Sequence, residues 1–518
     1  MREGETTLWH SAHRITDRPN PLLAPYDPSD LQVIDPPEED AEKPPQAERA
    51  GRRGEGRLVI VSNRVPARRG PQAGGLAVAL QDALKPGTLW FGWSGKTARK
   101  TATHPQLEQA DGVTYATIDI AEEDYKQFYV GFSNSTLWPL LHFRLGLIDF
   151  KRDDYEGYLR VNRAYAAALA PLLQPEDTVW IHDYHLIPLA RELRALGVKN
   201  RLGFFLHVPF APASVFGVLP PAAELLRALC AYDLIGFQTE RHRHDFADCL
   251  HHMLGAGMEE DGRIQLVGSQ ARAAVVPIGI NARHFAKLAE RAMRDRNGRI
   301  ARAAGGRSLI IGADRLDYSK GLLNRFEAFG RLLTNYPEQR GKVSYLQIAA
   351  ISREDVGDYQ TLRRELDESA GNINGRFAEF DWVPLRYMTR AVGRHTLAGL
   401  YRMARVGLVT PLRDGMNLVA KEYIAAQDPA DPGVLILSRF AGAAEEMTEA
   451  LLVNPYDPDE IADALQQALT MPVEERRRRF ESLSAAVFTS TAENYCRRFL
   501  KLLAPAEVET GGAVRLAN

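Results

Sequence analysis

Cysteine is scarce in this 518-residue chain: Cys230, Cys249 and Cys496 are the three, odd in number and far apart. That excludes a disulfide framework and leaves no paired spacing for structural zinc. It fits a reducing compartment, and the cytoplasm is expected. Long apolar runs are missing too. No stretch nears the roughly 18 residues of a spanning helix, and the polar opening Met1-Arg2-Glu3-Gly4-Glu5 has no apolar signal core. Charge of one sign is also lacking. With 64 Lys and Arg against 66 Asp and Glu, the formal net charge is -2. No global field would draw the chain to nucleic acid or an anionic membrane, although a local basic site stays open.

What is present is ordinary for a globular protein: 45% hydrophobic and 25% charged residues. The length suggests about two to four domains. Pro36 to Gly56 holds almost no large apolar residues, so residues 1–56 are expected to be disordered, being unable to offset ordering entropy by burial. Order begins at Leu58-Val59-Ile60-Val61, an apolar β-branched run of the kind that forms a strand covered on both faces. Similar runs recur at 178–181, 202–206, 234–237, 274–276, 308–311, 345–348, 406–409 and 434–437. Helical patterns such as Tyr158 to Leu173 and Asn324 to Asn335 lie between them. Alternation of this kind implies an α/β fold of parallel, doubly wound sheets. The strand pattern lapses at 282–306, which suggests two facing Rossmann-like domains, 57–285 and 286–490. Residues 491–518 are expected to form a helix packing back on the first domain, then a tail. The run Arg476-Arg477-Arg478-Arg479 beside Glu474 and Glu475 reads as the solvated face of a helix.

In open parallel sheets, ligands bind beyond the carboxyl ends of the strands. The first strand runs into Ser62-Asn63-Arg64, followed by Gly74-Gly75-Leu76. Arg64 offers a planar fork for phosphate, and a glycine pair opening a helix lets backbone N–H groups approach one; taken alone, the pair is an ordinary turn. His182-Asp183-Tyr184-His185 ends another strand and is either a site or a capped helix start. His207 ends the next. No further ligands at metal spacing follow, so metal is not expected. In the second half, Arg315 and Lys320 sit on a loop that ends in Gly321 and opens a helix, a pattern suited to an anion. The competing reading is a pair of surface ion bridges. Arg353 ends another strand. Asp414, Gly415 and Asn417 then precede a helix carrying Glu422, where carboxylates can accept hydroxyl hydrogen bonds.

Taken together, Ser62-Asn63-Arg64, Gly74-Gly75-Leu76, Trp90-Phe91-Gly92-Trp93-Ser94-Gly95, His182 to His185, Arg315 to Gly321 and Arg413 to Glu422 resemble the trehalose-6-phosphate synthases of glycosyltransferase family 20. The resemblance runs from about Arg57 to about residue 500. It implies a GT-B fold and configuration-retaining, metal-independent transfer of glucose from UDP-glucose to glucose 6-phosphate, with no cofactor. Arg64, Trp93, Tyr129, Trp138, Asp183 and Arg353 would then serve the acceptor. Gly74, Gly75, Arg315 and Lys320 would meet the donor diphosphate. Asp414, Gly415, Met416, Asn417, Leu418 and Glu422 would contact the rest of the donor, with Val392 near the uracil. The implied catalytic set is Asp183, His207, Arg315, Lys320 and Asp414.

A physical rationale accompanies the resemblance. Two phosphorylated reactants repel each other in one cleft, and cations from both halves would offset that repulsion while favouring closure. The rivals are a sister transferase using glycerol 3-phosphate or another nucleotide sugar (ADP- or GDP-glucose), a nucleotide-sugar epimerase and a silent metabolite sensor. Arg64 and Arg353 argue against the epimerase, which needs no acceptor-phosphate grip. Oligomeric state is left open.

Overall fold

The computed structural model describes residues 56–66, 80, 84–294, 306–353 and 357–504. The expectations for the N-terminal segment, for Gly74 and Gly75, and for the tail beyond 504 therefore lie outside the described residues.

Two parallel sheets dominate. The first has eight strands in the order β10-β7-β6-β5-β1-β2-β4-β3. They are β1 (Leu58–Arg64), β2 (Leu89–Ala98), β3 (Gln106–Ala110), β4 (Val113–Ala121), β5 (Thr178–His182), β6 (Arg201–Phe205), β7 (Leu234–Phe237) and β10 (Arg272–Val275). A short antiparallel pair, β8 (Gly257–Met258) and β9 (Ile264–Gln265), stands apart. All neighbours in the first sheet are parallel except β3, which turns back on β4. The second sheet has six strands in the order β13-β12-β11-β14-β15-β16: β11 (Ser308–Arg315), β12 (Val343–Ala350), β13 (Leu385–Met388), β14 (Val406–Val409), β15 (Val434–Ser438) and β16 (Leu451–Val453). Every pairing in it is parallel.

Most of the apolar runs form the sheet centres because both of their faces are covered; the run at 274–276 instead lies on the edge strand β10. Val59, Val61, Val179 and Ile181 are fully buried. Among the strands absent from the sequence expectation, β2 carries that signature, with Leu89 to Trp93 buried in the middle of the sheet, but the others lack it. β3 reads Gln-Leu-Glu-Gln-Ala and is exposed along the edge, β4 alternates buried and part-exposed positions, and β13 and β16 are short edge strands. Edge strands are covered on fewer sides, so nothing demands a continuous apolar run.

Strand order also locates the sites. In each sheet the order reverses beside the first strand, between β1 and β5 and between β11 and β14. A crevice opens there because consecutive connections leave on opposite faces. Arg64 and Asp183 follow the first pair; Arg315 and Asp414 follow the second.

The chain crosses between the sheets twice, side by side: Ile280 bridges Thr491, and Ala492 N donates to Ile280 O. Residue 285 falls inside the helix Ala282–Met293, which Asn281 caps and whose Phe285 packs near Tyr401. The helix Ala492–Leu503 lays Phe499 flat on Trp180 of the first sheet, 4.5 Å between centroids and 11° between planes. Gly203 makes room, since a Cβ there would sit 2.8 Å from the Phe499 ring. The arginine run corrects the expectation in part. Arg476 is 8% exposed and bonds to the carbonyls of Met471 and Pro432 and to Asp431. Arg478 and Arg479 instead pair with Glu475. Arg476 turns inward because its helical position faces the loop that leads into β15. No helix among the described residues is long and apolar enough to cross a membrane.

Candidate active site

At the first switch point, the Trp90 indole donates to the Ser62 hydroxyl, which donates to the Arg64 carbonyl at 2.9 Å and fixes the end of β1. The exposed Arg64 guanidinium then lies over Trp93, 5.7 Å from the ring centre. A π-helical segment, Tyr125–Leu137, brings Tyr125 and Tyr129 together, stacked at 5.5 Å. Both rings tilt against Trp93, and Tyr129 also stacks on His185. The result is an aromatic wall with a cation at its edge. Arg353, from the end of β12, closes the opposite side. Asn63, Arg64, Trp93, Tyr125, Tyr129 and Arg353 line one cavity of about 540 Å³.

Beside the cavity, Asp183 has φ 75° and ψ 164°, a region that costs a residue with a side chain about 1–3 kcal/mol. Arg353 and Asn417 also have positive φ. Strain held at such positions points to a function for them. The Asp183 carboxylate accepts from His207 N at 3.2 Å. Burial pushes its carboxyl up to about 6, against the pull of that N–H, the Tyr184 N–H and the arginines 353 and 315.

At the second switch point, Lys320 is 9% exposed and donates to Asp414 Oδ2 at 2.5 Å, so the surface-bridge reading does not hold. Burial raises the Asp414 carboxyl, but Lys320 and the Asn417 amide, at 3.1 Å, outweigh it and hold the group below its usual range. Asn417 also caps the helix Leu418–Ala426 by accepting from Ala420 N. Gly415 lies against the main chain of His207; a Cβ would stand 1.9 Å from His207 O, so only glycine permits this approach. Met416 is buried and Leu418 half-buried. Burial pushes the Glu422 carboxyl up to about 7, with Arg394 at 3.9 Å pulling the other way. Val392 is half-buried just before the helix carrying Arg394.

Trp138 joins the two halves. Arg353 stacks on it at 3.8 Å, Arg315 lies 5.6 Å from its centre, and its indole donates to Asp317 at 3.4 Å. Several residues here escape sequence reasoning. Asp317 is fully buried; burial raises its carboxyl, but Arg353, Arg315 and Lys320 bring it down to about 2. Arg325, wholly buried, ties Asp314, Thr410 and the Lys320 carbonyl together from beneath. Tyr359 and Tyr184 hold the Arg353 guanidinium. The buried His142 is pushed down to about 4 by desolvation. The signal available for Asp317 and Arg325 was position alone, in the loop after β11 and the helix following it.

Comparisons with known proteins agree with this architecture. The model of "Glycosyltransferase family 20" matches residues 57–505. A trehalose-6-phosphate synthase of Sinorhizobium fredii is 49% identical over 466 residues, covering 88% of this chain and all of that protein. Among solved structures, a UDP-forming α,α-trehalose-phosphate synthase from Burkholderia xenovorans in complex with glucose-6-phosphate superposes with TM-score 0.83 at 48% identity, covering 86% of this chain and 100% of its own. An E. coli structure bound with UDP-2-fluoro glucose gives TM-score 0.82 at 47% identity, covering 86% and 98%. With two doubly wound sheets, a cleft between their switch points and a match over nearly the whole described chain, this protein belongs to glycosyltransferase family 20.

Proposed function

We propose that this chain is a retaining glucosyltransferase that moves glucose from UDP-glucose to glucose 6-phosphate, yielding α,α-trehalose 6-phosphate and UDP. The observation that carries the reading is the shared cavity: Arg64 from the first sheet and Arg353 from the second line one space with an aromatic wall. A phosphorylated sugar suits it, its phosphate between the two cations and its ring against Trp93 and Tyr129. Trp138 completes the wall behind Arg353. The relatives bound to glucose-6-phosphate and to UDP-2-fluoro glucose supply the identities of the two reactants.

On this reading the donor diphosphate sits at the second switch point, where Arg315 and Lys320 neutralise the charge that develops as the sugar–phosphate bond breaks. The segment Asp414 to Leu418 places the donor glucose, Glu422 accepts from the ribose, and Val392 lies by the uracil. Asp183 orients the acceptor hydroxyl that attacks C1. That hydroxyl enters on the face the phosphate leaves, and its proton passes to a donor phosphate oxygen, so no side chain becomes covalently attached. The His207 main chain, held against Gly415, faces the sugar as it gains positive character. Closure around both reactants keeps water from the activated glucosyl group. The three free, buried cysteines suit a reducing, cytoplasmic setting.

Incubating the purified protein with UDP-glucose and glucose 6-phosphate should release UDP and form the α,α-linked product. Stronger turnover with glycerol 3-phosphate, or with ADP- or GDP-glucose, would replace the substrate assignment.

A further inference from the structure

A line of hydrogen-bonding groups lies behind the cleft, and the reaction as described uses it only through the His207 main chain. Its order is Ile278 N, Gln238, His207, His182. The Ile278 N–H donates to Gln238 Oε1 at 3.0 Å. Gln238 Nε2 lies 3.5 Å from His207 Nδ1, and His207 Nε2 lies 3.1 Å from His182 Nδ1. Beyond that, His182 Nε2 is buried and has no partner among the described residues. Both imidazoles sit among aromatic rings. Trp180 packs on His182, and Phe205 and Tyr495 pack around His207.

The donors and acceptors in this line can be assigned from one end. A backbone N–H can only donate, so Gln238 must present its oxygen to Ile278 and its amide hydrogens to His207. His207 Nδ1 is therefore the acceptor, and a neutral ring then carries its proton on Nε2. That proton points at His182 Nδ1, which must accept, leaving the His182 proton on Nε2. The opposite assignment sets N–H against N–H at Gln238. A second proton on either ring does the same at one of the two contacts.

We propose that His182 is a positioning residue for the transfer: by accepting from His207 Nε2 it locks that ring as the neutral Nε2–H tautomer and holds the His207 main chain in place against the Gly415 loop. The proposal rests on the glucosyl transfer proposed above. Its geometric support is that His207 is held at Nε2 by His182 at 3.1 Å and at its backbone N–H by Asp183 at 3.2 Å, with the Gln238 amide 3.5 Å from Nδ1. The Nε2 contact to His182 makes the ring an anchor for its own main chain. The residue reaches the site through its carbonyl, which faces Gly415 across a gap too narrow for a Cβ. Burial drives both histidines toward their neutral forms, His207 down to about 3.

Two substitutions separate this role from packing. His182→Asn places an amide oxygen where Nδ1 was and keeps the acceptor, but sacrifices the ring. His182→Phe keeps a ring and loses the acceptor. The expected result is that His182→Phe lowers kcat about 10- to 100-fold, taking the scale on which orienting partners of metal-ligating histidines act. Its KM values for UDP-glucose and glucose 6-phosphate should hold, and His182→Asn should recover most of the rate. The reverse order, with Phe tolerated and Asn impaired, would overturn the proposal in favour of packing. A direct reading comes from ¹⁵N-histidine NMR of the full-length wild-type chain without substrates. His207 and His182 should both show a protonated Nε2 and a bare Nδ1, and a His207 proton on Nδ1 would sink the assignment. This arm needs no turnover. A wild-type protein that releases no UDP from the two substrates would therefore end the transfer reading, and with it the role in transfer, while the tautomers would still decide the His182–His207 assignment.

Discussion

Asp183 and Asp414 occupy equivalent places, each just past a strand at its own sheet's switch point and each largely withdrawn from water. Their carboxyls nevertheless move in opposite directions. Asp183 goes up to about 6 because its nearest partners are backbone N–H groups and its arginines stand further off. Asp414 goes down because Lys320 touches it and Asn417 adds a second donor. Burial is common to both, so the immediate partner decides. The contrast extends outward. The first-half site is built of aromatic rings and neutral histidines around one strained carboxylate. The second-half site is built of close ion pairs: Lys320 with Asp414, Arg325 with Asp314, and Arg353 with Asp317. One side is shaped for a sugar ring, the other for charge.

The comparison is tested most severely at Asp183. Asp183→Ala is expected to abolish measurable turnover, a loss of roughly 10³-fold or more in UDP release. Asp183→Asn keeps the shape and removes the charge. A near-normal rate in that variant would break the contrast, because the first-half carboxylate would then not need to ionise. Next comes Lys320→Ala, which leaves Asp414 buried beside Asn417 alone. It should cost about 2–5 kcal/mol of transition-state binding, read as kcat/KM for UDP-glucose. Adding Asp414→Asn should recover part of the stability lost, since breaking a buried pair costs more than removing both charges. Simple additivity in that double-mutant cycle would mean that the two groups do not act as a pair.

A smaller effect sharpens the pH side. The Asp183 carboxyl sits near 3.9 when unfolded and at about 6 when folded, so the native state binds its proton more tightly. The stability this contributes is fully present below about pH 4 and is lost as pH rises through about 6. Asp183→Asn escapes that loss. It should match the wild type near pH 4 and exceed it by on the order of 1–3 kcal/mol at pH 8, by urea denaturation. A variant less stable at pH 8 than at pH 4, relative to wild type, would reverse the sign assigned to burial at this site.

Much of this arrangement was open to reading in the linear chain, for a physical reason. A parallel sheet covered on both faces demands continuous apolar strands, and such strands announce where their carboxyl ends lie. Arg64, Asp183, Arg315, Arg353 and Asp414 all stand at or just past those ends, so they could be nominated without coordinates. The parts that stayed hidden are those whose meaning is relational. Asp317 matters because Trp138 and Arg353, remote in sequence, converge on it. Arg325 looks like one more helical arginine until its fork is found on Asp314, Thr410 and the Lys320 carbonyl. Arg476 and Arg478, two residues apart in one run, differ only in which side of their helix meets the protein. Tyr125 and Tyr129 meet through a π-helical segment that no apolar periodicity foretells.

The finest test separates the two partners of Asp414. Asn417 performs two tasks: its amide donates to Asp414, and its oxygen caps the following helix while its backbone holds φ 79°. Asn417→Gly keeps the backbone conformation and loses both side-chain bonds, so the cap itself should cost only a few tenths of a kcal/mol. Asn417→Ala also loses both bonds and leaves a Cβ in the left-handed region without the local polar contacts that let asparagine occupy it, a strain of up to about 1–2 kcal/mol that the Gly variant avoids. If Lys320 is the dominant partner, Asn417→Gly should leave the Asp414 carboxyl ionised down to acid pH and reduce stability by less than about 1 kcal/mol. A larger loss, equal in the Gly and Ala variants, would show that the amide bond outweighs backbone strain here and that Asp414 depends on both partners alike.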